Sequence, residues 1–188
     1  MKVERLIISL VVFILACLPS DAQPASYVNT MIGTDGMGHT FPGACVPFGA
    51  VQLSPDTGNV PHNIDGVYQK ETYRYCAGYN YQDSTIIGFS HTHLSGTGHS
   101  DLGDILVMPG TGEPKLYPGE AGNPESGYSS AFSHDTEKSS PGYYEVVLSD
   151  DGIKAQLTAT PRVGVHKYTF PKGEKAHIIL DLAHGIYN

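Results

Sequence analysis

Residues 143–160 read YYEVVLSDDGIKAQLTAT, and this stretch decides the fold. Tyr143–Leu148 is rich in residues that favour strands, and the Asp150-Asp151-Gly152 cluster that follows is typical of a tight turn. Apolar and polar side chains then alternate over residues 153–160, which is the period of two of a strand with one buried face. We therefore predict an antiparallel hairpin here.

Further strands extend outward from this hairpin on both sides. Downstream, residues 163–170 and 176–182 are two more strand-like runs, separated by the turn Pro171-Lys172-Gly173. Upstream, residues 48–53 are the plausible strand of the N-terminal third. Short strands at this spacing, with no convincing amphipathic helix beyond the N-terminal segment, predict an all-β fold, an antiparallel β-sandwich.

The composition restricts the class of protein. The chain has 188 residues, which suits one domain with a core of its own. Its 22 glycines, 13 prolines and 12 tyrosines are typical of turns and strands rather than long helices. The formal net charge of −8 argues against a nucleic-acid partner, because nucleic acid requires a basic surface.

The N-terminus carries an export signal. Lys2 and Arg5 precede an apolar run over residues 6–18, which is too short to span a bilayer comfortably. Cleavage after residues 20–22 would remove 1–22 as a signal peptide, whereas residues 14–17 resemble a lipoprotein box with Cys17 as the lipid acceptor. We expect a secreted or periplasmic protein or, if Cys17 is lipidated, an outer-membrane lipoprotein.

The remaining chain, residues 23–188, is predicted to be one β-sandwich domain that is incomplete at its C-terminal end. The apolar run 178–182 lies close to the last residue, and finished proteins avoid an uncovered apolar sheet edge. Cys45 and Cys76 are expected to be buried free thiols, although an exported protein also permits a disulfide.

Residues 88–104, GFSHTHLSGTGHSDLGD, form a polar glycine-rich loop between two apolar runs. Loops held between buried strands are a common place for binding chemistry. A second glycine-rich patch, GMGHTFPG, occupies residues 36–43 and contains a histidine and a phenylalanine. It lacks the Gly-Lys-Ser or Gly-Lys-Thr of a phosphate-binding loop.

Three interpretations of residues 88–104 remain open from the residues alone. The paired spacing of His91 and His93, with His99 and Asp101, permits a metal site. The mixture of imidazoles, hydroxyls and glycines beside aromatic rings also suits a sugar pocket, because sugar hydroxyls both donate and accept hydrogen bonds. The third interpretation is a polar loop whose side chains satisfy its own backbone.

Several motifs, in order, resemble the N-terminal domain of glycoside hydrolase family 92. They lie at residues 28–34, 38–44, 46–49, 52–57, 76–79 and 88–104. That family consists of secreted, calcium-dependent, inverting exo-α-mannosidases. The resemblance implies an N-terminal β-sandwich packed on a larger (α/α)6 barrel, with mannose-containing glycans as substrates.

The resemblance also implies a division of labour. The catalytic glutamate, the water-activating aspartate and the calcium ligands are expected in the barrel, beyond this chain, so the fragment alone is predicted to be inactive. Asp101 and Asp104 are three residues apart on one loop, and we do not assign them the roles of the two separated carboxyl groups of an inverting enzyme. A non-catalytic carbohydrate-binding β-sandwich module is the alternative.

This domain is expected to supply walls of the sugar pocket and no catalytic or metal-binding residue. The candidate substrate contacts are His39, Phe41 and Pro42 from the first patch, and His91, His93, Thr97, Gly98, His99 and Asp101 from the second. The sequence departs from the family in one respect. Members specific for α-1,2 linkages often carry a tryptophan just before residues 76–79, whereas this chain has no tryptophan and offers Tyr73 or Tyr75 there. The linkage cleaved is therefore left open.

Overall fold

Two antiparallel sheets pack face to face in the computed structural model, which describes residues 24–58, 60, 63–99, 101–120, 123 and 126–185. Short 3-10 helices at Pro24–Tyr27, Lys70–Tyr75 and His134–Thr136 connect the strands. The strands are β1 (Ala44–Cys45), β2 (Gln52–Asp56), β3 (Asn63–Ile64), β4 (Val67–Tyr68), β5 (Thr85–Ile86), β6 (Gly88–Ser90), β7 (Leu106–Thr111), β8 (Ser130–Ala131), β9 (Lys138–Ser140), β10 (Tyr143–Leu148), β11 (Ile153–Ala159), β12 (Gly164–Thr169) and β13 (Ala176–Asp181). The prediction of an all-β antiparallel sandwich is confirmed.

The predicted hairpin forms the centre of the second sheet. The first sheet has the order β1-β2-β6-β7-β13, and the second has the order β12-β11-β10-β9. β10 and β11 pair from Tyr143 opposite Thr158 to Leu148 opposite Ile153, as the sequence predicts. Gly152 in the connecting turn has φ +63°, a left-handed conformation that glycine adopts without a side-chain clash.

The core lies between these two sheets. Along β11 the residues alternate between buried and more accessible positions, in agreement with the period of two in the sequence. The apolar side chains that meet in the core include Leu53, Phe89, Leu106 and Met108 from the first sheet and Tyr144, Val146, Leu148, Ile153 and Leu157 from the second. Burial of one Leu or Phe side chain stabilises the folded state by about 1.5–3 kcal/mol. The cluster therefore holds the two sheets together, and the loops that connect the strands lie at the edges of the sheets.

The strand predicted over residues 48–53 is wrong over its first four residues. β2 begins only at Gln52, because the N–H of Gly49 donates to the carbonyl of Val46 (3.0 Å) and closes a turn ahead of it. Phe48 in that turn has φ +59° and a fully exposed ring. An aromatic side chain in left-handed backbone is uncommon, and here it carries the ring out to the surface.

Three expectations concern the ends of the chain and its thiols. The predicted signal peptide 1–22 and Cys17 lie outside the described residues, and the domain boundaries stay predictions. Within the described residues, no helix has the length and apolar character needed to cross a membrane. Cys45 and Cys76 are both free thiols, but Cys45 is exposed, so the expectation that both are buried is wrong.

Candidate functional site

The glycine-rich loop 91–105 leaves β6 and returns into β7 at the end of the first sheet. Polar groups of the loop hydrogen-bond to one another where its two ends come together. The N–H of His91 donates to the carbonyl of Asp104 (3.0 Å), and the hydroxyl of Thr92 donates to the Asp104 carboxylate (2.9 Å). These hydrogen bonds satisfy backbone groups of the loop, and they hold the segment that carries His91 and His93 in a fixed position.

A fully buried carboxylate, that of Asp56 at the end of β2, lies beneath this loop. His93 approaches one carboxylate oxygen, with 2.7 Å between Nε2 and Oδ1. His184, which follows β13, approaches the other, with 2.8 Å between Nε2 and Oδ2. Two imidazoles from distant parts of the chain therefore share one anion in the interior.

The hydrogen bonds fix the protonation of this cluster. Nδ1 of His93 lies 2.7 Å from the backbone carbonyl oxygen of Gln52, which only accepts, so Nδ1 carries a proton. Nε2 faces the ionised carboxylate of Asp56 and donates as well. His93 is thus bonded as an imidazolium on both sides, which suits a buried negative charge.

The electrostatics of Asp56 and His184 support the same assignment. Burial alone would raise the pKa of Asp56, but the charge of His93 and the hydrogen bonds from both imidazoles outweigh it and hold that pKa far below its usual value. Burial alone would lower the pKa of His184, but its hydrogen bond to Asp56 and the charge of that carboxylate raise it. The cluster is a buried ion group that joins β2, the glycine-rich loop and the segment after β13.

The cluster is not arranged as a nucleophile triad. Ser90 Oγ lies 3.1 Å from Nε2 of His93, the same nitrogen that contacts Asp56. A serine–histidine–aspartate relay requires the serine and the carboxylate on opposite ring nitrogens. Ser90 is also fully buried. These side chains therefore hold the loop in place rather than attack a substrate.

Gly78, within the Cys76–Tyr79 motif, leaves space for the cluster. Its φ is +78°, and a Cβ built there would collide with Oδ1 of Asp56 and lie 3.1 Å from the ring of His93. The N–H of Thr57 donates to the Gly78 carbonyl (2.8 Å), which holds the motif against the end of β2. Only glycine fits at this position.

An open, mostly apolar cleft of about 650 Å³ lies above the buried cluster. Phe41 of the first patch and His93 of the second both line it, with 5.2 Å between their ring centroids. Leu94 and Phe48 contribute exposed apolar surface at the same cleft. The structure thus brings the two glycine-rich patches together at one surface, although 52 residues separate Phe41 from His93 in the sequence.

His39 connects the two patches beside this cleft. Its carbonyl accepts a hydrogen bond from the N–H of Gly96 (2.6 Å), and its ring lies edge-on to Tyr73, with 4.5 Å between centroids. Its φ of +50° is strained for a non-glycine residue, and its buried Nε2 has no hydrogen-bond partner among the described residues. Backbone strain and unpaired buried polar atoms cluster at functional sites.

The other predicted contacts are distributed around the loop. Pro42 is buried, and its carbonyl accepts a hydrogen bond from the hydroxyl of Ser139. Thr97 accepts from the N–H of His99 (3.2 Å), and Asp101 accepts from the N–H of Leu102 (2.8 Å). Gly98 is exposed, and a Cβ there would lie 3.3 Å from the ring of Tyr73. Their contact with sugar stays a prediction.

His91 points away from Asp56 and joins the two sheets. Its Nε2 lies 3.1 Å from Nε2 of His166 on β12, and its Nδ1 donates to the carbonyl of Ile105 (2.7 Å). The hydroxyl of Tyr168 donates to Nδ1 of His166 (2.7 Å), so one consistent pattern has both imidazoles neutral. Burial and the neighbouring His91 lower the pKa of His166 to about 4.

Sequence reasoning missed Asp56, the partner of His93, and His184, which shares the Asp56 carboxylate. Residues 52–57 carry a family motif, but the motif does not indicate a buried charge at Asp56, and His184 has no motif around it. Among the described residues, no group of three or more His, Cys, Asp or Glu side chains is placed to hold a metal ion. The local geometry therefore offers an apolar cleft with a rigid polar floor.

Comparison with known proteins identifies relatives of this chain. The family model described as the glycosyl hydrolase family 92 N-terminal domain matches residues 27–188. The family GH92 α-mannosidase BT3965 from Bacteroides thetaiotaomicron, solved in complex with mannoimidazole, is 46% identical with a TM-score of 0.78; the match covers 87% of this chain and 20% of that one. The family GH92 inverting mannosidase BT2199 from Bacteroides thetaiotaomicron VPI-5482 is 28% identical with a TM-score of 0.63, covering 87% of this chain and 20% of that one.

A curated relative agrees with these structures. A protein of Arthroderma benhamiae named an uncharacterized secreted glycosidase is 29% identical over 163 residues, covering 83% of this chain and 19% of the relative. This chain therefore spans about a fifth of the length of the relatives that it matches.

Proposed function

Because this chain belongs to glycosyl hydrolase family 92, whose N-terminal domain model matches residues 27–188, we propose that it supplies pocket walls for an exported exo-α-mannosidase. The enzyme would hydrolyse terminal α-mannosides of glycans with inversion. The observation that carries the proposal is the contact between the two glycine-rich patches, Phe41 against His93, at the floor of one open cleft. A partly apolar cleft with a few polar groups suits a sugar.

In this proposal the domain provides a rigid wall of the pocket, and the rest of the full-length protein carries the groups that catalyse hydrolysis. Hydrolysis with inversion requires two carboxyl groups about 6.5–9.5 Å apart, one to protonate the leaving oxygen and one to activate water. Asp56 is ionised, fully buried and bonded to two imidazoles, so it does not fit either role. We place the catalytic carboxyl groups and the calcium ligands in a C-terminal (α/α)6 domain that packs on this one.

Tyr73 is the better candidate to replace the family tryptophan. Its side chain is 41% exposed and lies beside His39 and Gly98. Tyr75 instead donates weakly to the Asp83 carboxylate (3.4 Å), and burial together with that charge raises the pKa of Tyr75 to about 12. We propose that Tyr73 covers one face of the sugar on the leaving-group side.

The test uses the full-length protein with α-1,2-, α-1,3-, α-1,4- and α-1,6-linked mannobioses. We expect release of mannose from at least one of them, with β-mannose as the first product in NMR spectra and loss of activity on calcium chelation. Phe41→Ala should lower kcat/KM at least about fivefold, since a ring that packs on sugar contributes on the order of 1 kcal/mol or more. Tyr27→Ala, an exposed aromatic position outside the cleft lining, should leave kcat/KM unchanged.

Three results would contradict the proposal. Wild-type protein that binds mannosides without hydrolysing them would favour the non-catalytic carbohydrate-binding module. First release of α-mannose would overturn inversion. Hydrolysis by residues 23–188 alone would overturn the division of labour between the two domains.

A further inference from the structure

A second cleft lies on the other side of the segment 29–35. Its volume is about 370 Å³, and its lining includes Asn29, Thr34, Asp35, Tyr81, His134 and Glu137. None of the predicted substrate contacts lines it. The N–H of Tyr81 donates to the carbonyl of Thr34 (2.9 Å), so two walls of the cleft are joined by a backbone hydrogen bond.

Glu137 forms a buried anionic base for this cleft. Its fully buried carboxylate accepts hydrogen bonds from the hydroxyls of Tyr79 (2.9 Å) and Tyr144 (2.6 Å). Burial and the charge of Glu137 raise the pKa values of both tyrosines, so both remain hydroxyl donors. The carboxylate also accepts from Nδ1 of His134 (2.6 Å). Both of its oxygens therefore accept hydrogen bonds within the protein, and it acts through its neighbours.

His134 is oriented by this carboxylate. Because Nδ1 donates to Glu137, Nε2 is the ring nitrogen that remains able to exchange a hydrogen bond. The side chain of His134 lines the cleft and is 30% exposed. The carboxylate thus fixes the tautomer and the orientation of an accessible imidazole.

Tyr81 provides an aromatic surface next to this imidazole. The two rings stack with 4.0 Å between centroids and 18° between planes, and Tyr81 is 39% exposed. Asp35 bonds the N–H of Gly36 through Oδ1 (2.6 Å), which leaves Oδ2 as an acceptor at the exposed rim. The cleft thus combines an aromatic face, an imidazole and a carboxylate.

We propose that this cleft binds one sugar unit of a glycan, with the sugar against the exposed edge of the Tyr81–His134 stack and its hydroxyls bonded to Nε2 of His134 and to Asp35. The identity of the sugar as mannose rests on the proposed function. A divalent cation is the less suitable ligand, because both oxygens of Glu137 already accept hydrogen bonds and Asp35 is the other carboxylate in the described lining. Hydroxyls that donate and accept match the imidazole and carboxylate together.

The experiment measures binding of a sulfur-linked α-mannobioside, which resists hydrolysis, to the full-length protein by calorimetry. We expect Tyr81→Ala to remove one binding site or weaken it about fivefold or more, as expected for loss of an aromatic contact of about 1 kcal/mol. His134→Gln, which retains a donor toward Glu137, should weaken the same site. Tyr117→Ala, an exposed tyrosine outside the cleft lining, is the matched control and should bind as wild type does.

Each outcome decides the inference. Wild-type stoichiometry and affinity that survive both Tyr81→Ala and His134→Gln overturn it. If the site that Tyr81→Ala removes also disappears on metal chelation while the cleft that contains Asp35 is otherwise intact, it is a cation site, and the inference is again overturned. Hydrolysis of mannobioses, measured separately, tests the proposed function. If the protein hydrolyses mannobioses but the variants bind as wild type does, only the inference about the second cleft is contradicted. If the variants lose binding but the wild-type protein does not hydrolyse mannobioses, only the proposed enzymatic function is contradicted.

Discussion

His91 and His93 lie two residues apart on one loop and contact groups of opposite kinds. His93 shares the buried carboxylate of Asp56 with His184, whereas His91 faces the imidazole of His166 at 3.1 Å. The first contact favours charged imidazoles, and the second favours neutral ones. Burial alone does not decide the charge of a histidine in this loop; the group opposite it does.

The largest expected effect comes from removing the shared anion. Asp56→Asn leaves His93 and His184 buried without a counter-charge, and breaking a buried pair in this way costs about 3–5 kcal/mol. We expect a corresponding fall in the free energy of unfolding, measured in urea at pH 7. Asp101→Asn, at an exposed position on the same loop, is the matched control and should change that free energy by less than about 0.5 kcal/mol. Equal effects of the two substitutions would contradict a central role for the cluster.

Gly78 tests whether the cluster tolerates an added methyl group. Gly78→Ala introduces a Cβ against Asp56 at φ +78°, while Gly66→Ala introduces one at φ +81° in open space. Both variants incur the left-handed backbone cost of about 1–2 kcal/mol. Gly78→Ala should destabilise the fold by a further 1–3 kcal/mol or so, typical of overpacking. Equal unfolding midpoints for the two variants would show that the space around Asp56 is not restricted.

The contact between His91 and His166 should weaken in acid. The folded pKa of His166 is lowered to about 4, below the usual histidine value of about 6.5. The unfolded state therefore binds a proton first, and stability falls as pH decreases from about 6.5 to about 4, with a maximum slope of about 1.4 kcal/mol per pH unit. His166→Gln should flatten this part of the stability–pH curve. A variant curve parallel to that of wild type would contradict the assignment.

The contact between Asp56 and His184 should have the opposite pH dependence. The folded pKa of His184 is raised, so its contribution is fully present below about pH 6.5 and is lost as pH rises through the folded value. His184→Gln should therefore destabilise the protein more at pH 6 than at pH 9, as measured by urea unfolding. A larger loss at pH 9 would reverse the assigned sign.

Much of the sheet architecture could be predicted from local patterns. The alternation over residues 153–160 identified β11 and its buried face, and the strand, loop, strand order around residues 88–104 was observed as β6, loop and β7. The failure at residues 48–53 has a local cause. The turn that places Phe48 in left-handed backbone interrupts an apolar run that otherwise favours a strand.

The candidate site was predictable only in part. The motifs identified the two glycine-rich patches, and the structure brings Phe41 and His93 to one cleft. The spacing of residues 91–99 does not indicate whether a given imidazole faces the cleft, a carboxylate or another imidazole. Tyr81 and His134 carried no motif either, because their stacking depends on how separate loops meet.

The sequence by itself determined the strand pattern, the polar loop between apolar runs and the family, because these are recorded in neighbouring residues and in the order of motifs. The tertiary structure decided the charges and the partners. Asp56 and His184 are 128 residues apart and meet only because β2 and β13 belong to the same sheet, so no local pattern could encode their contact. Long-range pairing also gives His91 and His93 different partners, since their side chains contact different sheets.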